Sequence, residues 1–160
     1  MKIIAFDPGT IKVGWAVFEV CRSPRLIESG LIKAPVKAPI FERLREIQFH
    51  VDRIANMFGL IDYGAIEAGF YKAGTNKSSD ALAMARGIIG AKIYHATVKE
   101  PVLIPISTAK KDATGNGRAD KDEMLKIINM RFKLAIKSED EADAIAIGFS
   151  ASLKLRRGAL

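Results

Sequence analysis

Residues 2–17 read KIIAFDPGTIKVGWAV, and this stretch decides the fold. KIIAF (2–6) is short, apolar and unbroken, as a buried strand is. Asp7-Pro8-Gly9-Thr10 then ends it with turn chemistry. A second strand follows over 13–20 (VGWAVFEV), and a third over 26–33 (LIESGLIK), with a turn at Arg22-Ser23-Pro24 between them. Three strands joined this closely form an antiparallel meander. An acid therefore stands where the first strand leaves the sheet.

Further along, the period changes. Ile40, Phe41, Leu44, Ile47, Val51, Ile54 and Phe58 are spaced as the apolar face of a helix over 40–58, with Pro39 at its start and Gly59 beyond its end. YGAIE (63–67) reads as a strand ending on Glu67. A polar loop (70–78) leads to a helix reaching about His95, capped by Ser78, Ser79 or Asp80. That helix carries Ala81, Ala83, Ala85, Gly87, Gly90 and Ala91, small residues that suit burial or an interface. VLIPI (102–106) is a strand whose Pro105 marks an edge or an end. After a loop at 112–119, Asp120 and Glu123 have capping-box spacing before a helix to about Phe132. A last helix starts near Ser138. The order β-β-β-α-β-α-β-α-α implies an α/β fold: a mixed five-stranded sheet, antiparallel then parallel, flanked by helices.

The chain has 160 residues, enough for one domain over 1–160. LKLRRG (153–158) makes a basic tail, with flexibility expected over 153–160. No apolar run approaches the roughly 18 residues of a membrane span, and the apolar N-terminal run is too short for a signal peptide, so the expected compartment is the cytoplasm of a bacterial cell, or of the host cell for a viral protein, without membrane contact. The one cysteine, Cys21, cannot form an internal disulfide or a cysteine-type zinc site. His50 and His95 sit in no catalytic motif. The net charge of +7 favours polyanionic partners.

Asp7 and Glu67 end strands that, if parallel and adjacent, bring both carboxylates to one sheet edge, where ligands of open α/β sheets sit. Asp140 and Asp143, three apart, share a helix face. Such a cluster repels itself unless a cation compensates, and an all-oxygen donor set suits Mg²⁺ or Mn²⁺. Two such ions can support in-line phosphodiester hydrolysis. Taken singly, each acid also fits a plainer role: Asp7 as a turn residue, Glu67 as a surface strand end, and Asp140 and Asp143 as a solvated helix start.

Together these segments resemble the RuvC family of Holliday-junction resolvases, whose fold is RNase H-like. FDPGTIKVGWAV (6–17) is similar to the family's first motif, AIEAGF (65–70) to its second, KKDATGNGRADKDEM (110–124) to its lysine-bearing segment, and DEADAIAIG (140–148) to its closing D-x-x-D-A-x-A pattern. The likeness runs from residue 3 to about 150. Asp-x-Gly-Thr alone is also found in actin-like ATPases and sugar kinases; TGNGRA in its place is far more specific.

The resemblance implies a homodimer that cuts four-way DNA junctions by paired nicks, with no nucleotide cofactor. It makes Asp7, Glu67, Asp140 and Asp143 the catalytic and metal-binding residues, holding two Mg²⁺ or Mn²⁺ ions; some relatives have His at the position of Asp140. Lys110 and Lys121 match lysines that bind or polarise the scissile region, and Phe70 matches an aromatic that stacks on a base. Lys72, Lys77, Lys111 and Arg118 complete the expected DNA-binding set. The loop after Glu67, with Gly69 and Gly74, departs from the family's usual pattern. Cleavage of forks or flaps, and junction binding without cleavage, are the alternative activities.

Overall fold

Four of the six residues of β1 (Lys2–Asp7) are buried, because β1 is covered on both faces. Alternate side chains serve opposite sides: Ile3 and Ala5 enter one core cluster, Ile4 and Phe6 the other. The computed structural model describes residues 1–69 and 77–158. β2 (Lys12–Glu19) runs antiparallel to β1, and β3 (Arg25–Lys33) antiparallel to β2. β4 (Tyr63–Glu67) and β5 (Val102–Ile104) add in parallel on the other side. The five-stranded sheet has the order β3-β2-β1-β4-β5, the mixed architecture expected from the sequence.

Helices α1 (Ile40–Met57) and α2 (Lys77–Thr97) cover one face. Leu44, Ile47, Val51 and Ile54 of α1 meet Ile4, Phe6, Val13 and Trp15 there. On the other face lie α3 (Ile106–Thr114), α4 (Lys121–Phe132) and α5 (Glu139–Arg156), around Ile3, Ala5, Ala16 and Phe18. α5 lies between the sheet and α3 and α4. Ten of its residues are buried, which explains the unbroken run of Ala, Ile, Gly, Phe and Ser over 144–152. Among the described residues, no helix is long and apolar enough to cross a membrane.

Two elements differ from the sequence expectation. Pro105 does not end a five-residue strand; it is the N-cap of α3, and β5 stops at Ile104. α3 is short and polar, and only Ala109 and Ala113 are buried. Two alanines leave almost no apolar periodicity to detect. Its C-cap, Gly115, has φ +86°, and its N–H reaches the Lys111 carbonyl at 2.8 Å. The loop expected at 112–119 therefore begins inside a helix. α5, in turn, continues to Arg156, past residue 153 where the basic tail was expected to start, and Leu153 and Leu155 pack on the core.

Glycine lets α5 approach the sheet. A methyl group on Gly14 would lie 1.9 Å from the Asp140 carbonyl oxygen and 3.1 Å from the Ala144 Cβ. Backbone meets backbone here, so neither side can yield by rotamer change. Gly14→Ala is expected to lower the unfolding free energy by about 2–3 kcal/mol, read from urea denaturation, because α5 must shift as a body. Unchanged stability would mean that α5 is not seated on β2 in this way.

Candidate active site

The parallel register Ile3↔Tyr63 through Phe6↔Ile66 carries β1 and β4 side by side to their last residues, Asp7 and Glu67. Buried neighbours on both faces fix that register, since a one-residue slip would exchange Phe6 and Ile66 of one core cluster with the small Ala5 and Ala65 of the other. The first turns of α5, held over Gly14, bring Asp140 and Asp143 to the same end of the sheet. The Glu139–Glu141 start of α5 is acidic, which the helix dipole favours.

The electrostatics of Asp7 register this convergence. Its pKa is pushed up to about 8, first by burial, then by the charges of Asp143, Glu67 and Asp140, and by a hydrogen bond to Glu67 that only protonated Asp7 can donate. Asp143 rises to about 6. Burial is the main cause; Glu67 and Asp140 add to it, while Lys110 and Lys121 oppose it. The other three acids of the expected ligand set thus all act on Asp7. Among the described residues, however, no three such side chains stand in an arrangement that would hold a metal ion as they are. The donors are hard oxygens with excess negative charge, a set whose chemistry suits Mg²⁺ or Mn²⁺.

Several basic groups surround the acids. Lys110, on α3, donates from Nζ to the Ala119 carbonyl at 2.7 Å and so ties down the TGNGRA loop (114–119) beside Asp143. Lys121, at the start of α4, is exposed and pairs with Glu139, whose hydrogen bond and charge raise its pKa. Asp120 caps α4 by accepting from the Glu123 N–H at 2.8 Å, as the capping spacing implies. Lys111 and Arg118 are exposed, and the Arg118 N–H is held by Asn116 Oδ1 at 3.0 Å. Phe70 and Lys72 lie outside the described residues, as does the side chain of Lys77.

Sequence reasoning passed over two arginines. Arg86 of α2 places Nη2 3.6 Å from Glu67 Oε2, with both side chains less than a quarter exposed. Its Nε is buried and unpaired. Gly69 makes room for it, since a Cβ there would meet Arg86 Nη1 at 2.2 Å. Arg43 of α1 donates from Nη1 to the Thr10 carbonyl at 3.3 Å, tying the Asp-Pro-Gly-Thr turn to α1. The signal for Arg86 was an arginine set among the small residues Ala81 to Ala91; Arg43 gave none, since α1 carries other arginines.

A family model described as "Crossover junction endodeoxyribonuclease RuvC" matches residues 3–150. The chain belongs to the RuvC family. Crossover junction endodeoxyribonuclease RuvC of Aliarcobacter butzleri is 35% identical over 158 residues, covering 97% of this chain and 100% of the relative. The RuvC of Wolbachia sp. subsp. Brugia malayi is 33% identical over 154 residues, 91% of this chain and 90% of the other. A structure of Thermus thermophilus RuvC in complex with a Holliday junction substrate superimposes with TM-score 0.83 at 24% identity, over 99% of this chain and 96% of that one. The fold is therefore the RNase H-like fold of the RuvC family.

The raised acids fix a pH dependence. Folded, metal-free protein holds a proton on Asp7 up to about pH 8, whereas the unfolded chain releases it near the ordinary aspartate value of about 4. Between those values the folded state binds more protons, so stability falls as pH rises through that window. Asp143 adds the same slope up to about pH 6. Asp7→Asn is expected to stabilise the chelator-treated protein at pH 8 by on the order of 2 kcal/mol and to flatten the slope between pH 6 and 8. A slope as steep in the variant as in the parent contradicts the assignment.

Proposed function

We propose that this chain is a structure-selective DNA endonuclease that resolves four-way junctions by paired, symmetric nicks. The observation that carries this is the half-buried set of Asp7, Glu67, Asp140 and Asp143, mutually repelling where β1, β4 and α5 meet in a RuvC-family chain. A divalent metal is required, as the family implies; our reading is Mg²⁺ or Mn²⁺, two ions per site, with those acids as ligands. When bound, the metal supplies positive charge that acidifies the attacking water and stabilises the leaving 3′ oxygen. Hydrolysis joins the water oxygen to phosphorus and breaks the bond to the 3′ oxygen, leaving a 5′ phosphate and a 3′ hydroxyl.

The chain's own residues do the positioning. Arg86 orients the Glu67 carboxylate, and Lys110 favours ionised Asp143 while fixing the loop that follows α3. Lys111, Arg118 and Lys121 supply charge for the DNA backbone, joined by Phe70, Lys72 and Lys77 from the segment after Glu67. Stacking of a base on Phe70 contributes roughly 1–3 kcal/mol with little sequence preference. A homodimer presents two sites, one to each strand of a symmetric junction. Support comes from large apolar residues left exposed on the two helices that cover one face of the sheet, Phe41 and Phe49 on α1 and Met84 and Tyr94 on α2. The protein works in the cytoplasm, among DNA substrates.

The test uses a labelled synthetic four-way junction beside linear duplex and fork substrates, with and without Mg²⁺. Symmetric, metal-dependent nicks at the junction are expected, with Asp7→Asn and Glu67→Gln slower by on the order of 10³-fold, since metal charge stabilisation is worth several kcal/mol. Undiminished cleavage by Asp7→Asn would remove the acids from the reaction. Equal cutting of linear duplex would end the claim of junction selectivity.

A further inference from the structure

A cleft of about 450 Å³ opens beside the acids, on the side away from Glu67, and Asp140 and Glu139 form part of its wall. Its other charged residues are Lys12, Lys33 and Lys137. None of these was among the basic residues the sequence motifs single out. They come from three elements: the first residue of β2, the last of β3, and the approach to α5.

The register makes this cluster unusual. Lys12 and Lys33 are direct cross-strand partners. Like charges directly opposite one another destabilise a hairpin. At the other end of the same hairpin, the partners are Glu19 and Arg25, which form an ion pair at 2.8 Å. The β2–β3 hairpin thus neutralises its far end and leaves two ammonium groups opposed at the end nearest the acids, with Lys137 added from a third element. Among the described residues, none of the three ammonium groups has a hydrogen-bond or ion-pair partner. Nor are the cleft's acids free to neutralise them: Glu139 is engaged by Lys121, and Asp140 belongs to the acidic centre.

We propose that Lys12, Lys33 and Lys137 form a phosphate-binding track that takes the nucleic-acid backbone next to the nicked position. Phosphates bound there cancel the lysine repulsion and release counterions. The track also gives the substrate strand a direction. Sheet order puts β2 and β3 on one side of β1 and β4 on the other, so a strand crossing the acids leaves over the start of α5 toward the β3 edge. This deepens the junction-nuclease reading and rests on it.

The test compares Lys12→Gln/Lys33→Gln/Lys137→Gln with the parent and with Lys126→Gln, an exposed lysine of α4 outside the cleft. Junction binding is measured in chelator, where cleavage is not expected, across a salt series, and thermal unfolding is followed in parallel. The triple variant should bind on the order of tenfold more weakly or worse, with its log–log salt slope shallower by roughly 2–3, at about 0.9 for each phosphate no longer neutralised. Its melting temperature should stay level or rise, because the opposed charges are gone. Lys126→Gln should leave the slope unchanged. A triple variant with unaltered affinity and slope overturns the track, as does an equal loss in Lys126→Gln. Parent protein that fails to bind the junction overturns the nuclease reading itself, and the track with it.

Discussion

Repulsion among carboxylates is the interaction on which this structure turns. Asp7 is half-buried and faces three other acids, so most of its environment disfavours its charge. Such a centre persists only when a scaffold holds it together. Here the scaffold is the β1–β4 parallel pair, buried on both faces, and a helix whose first turn sits against a bare glycine. Stability gained by burying Ile3, Ile4, Phe6, Ile66 and Ile145, at roughly 1.5–3 kcal/mol each, outweighs the unfavourable charge cluster. The remaining imbalance is negative charge that a bound cation would offset.

The basic residues fall into two groups around that centre. Lys110 and Arg86 are partly buried and bear directly on Asp143 and Glu67, so they tune and orient acids. Lys121, Lys111 and Arg118 are exposed and able to meet a phosphate backbone. The cleft lysines form a further exposed set along the β2–β3 hairpin and the approach to α5. The net charge of +7 is thus not spread evenly, and its distribution defines a path across the acids.

Much of this was legible in the sequence, for identifiable reasons. KIIAFD and YGAIE are strands whose apolar runs end on acids, so strand type and the placement of Asp7 and Glu67 could be read together. α1 was equally clear, because Leu44, Ile47, Val51 and Ile54 repeat at helical spacing. α3 was not, since two buried alanines carry too little apolar signal. The full length of α5 was obscured by basic residues near its end, although Leu153 and Leu155 pack on the core. Arg86 and the Lys12–Lys33 pair depend on contacts between residues distant in sequence. Only the α2–β4 packing and the hairpin register bring those together.

On this account Asp7 keeps its proton at neutral pH until a divalent cation supplies compensating charge. Calorimetric titration of the protein with Mn²⁺ at pH 7, in two buffers of different ionisation enthalpy, tests it most directly. With Asp7 held near pKa 8 in the metal-free state, binding should release about one proton per chain, and Asp7→Asn should release markedly fewer. Tight binding with no proton release, or no difference between parent and variant, would contradict the account.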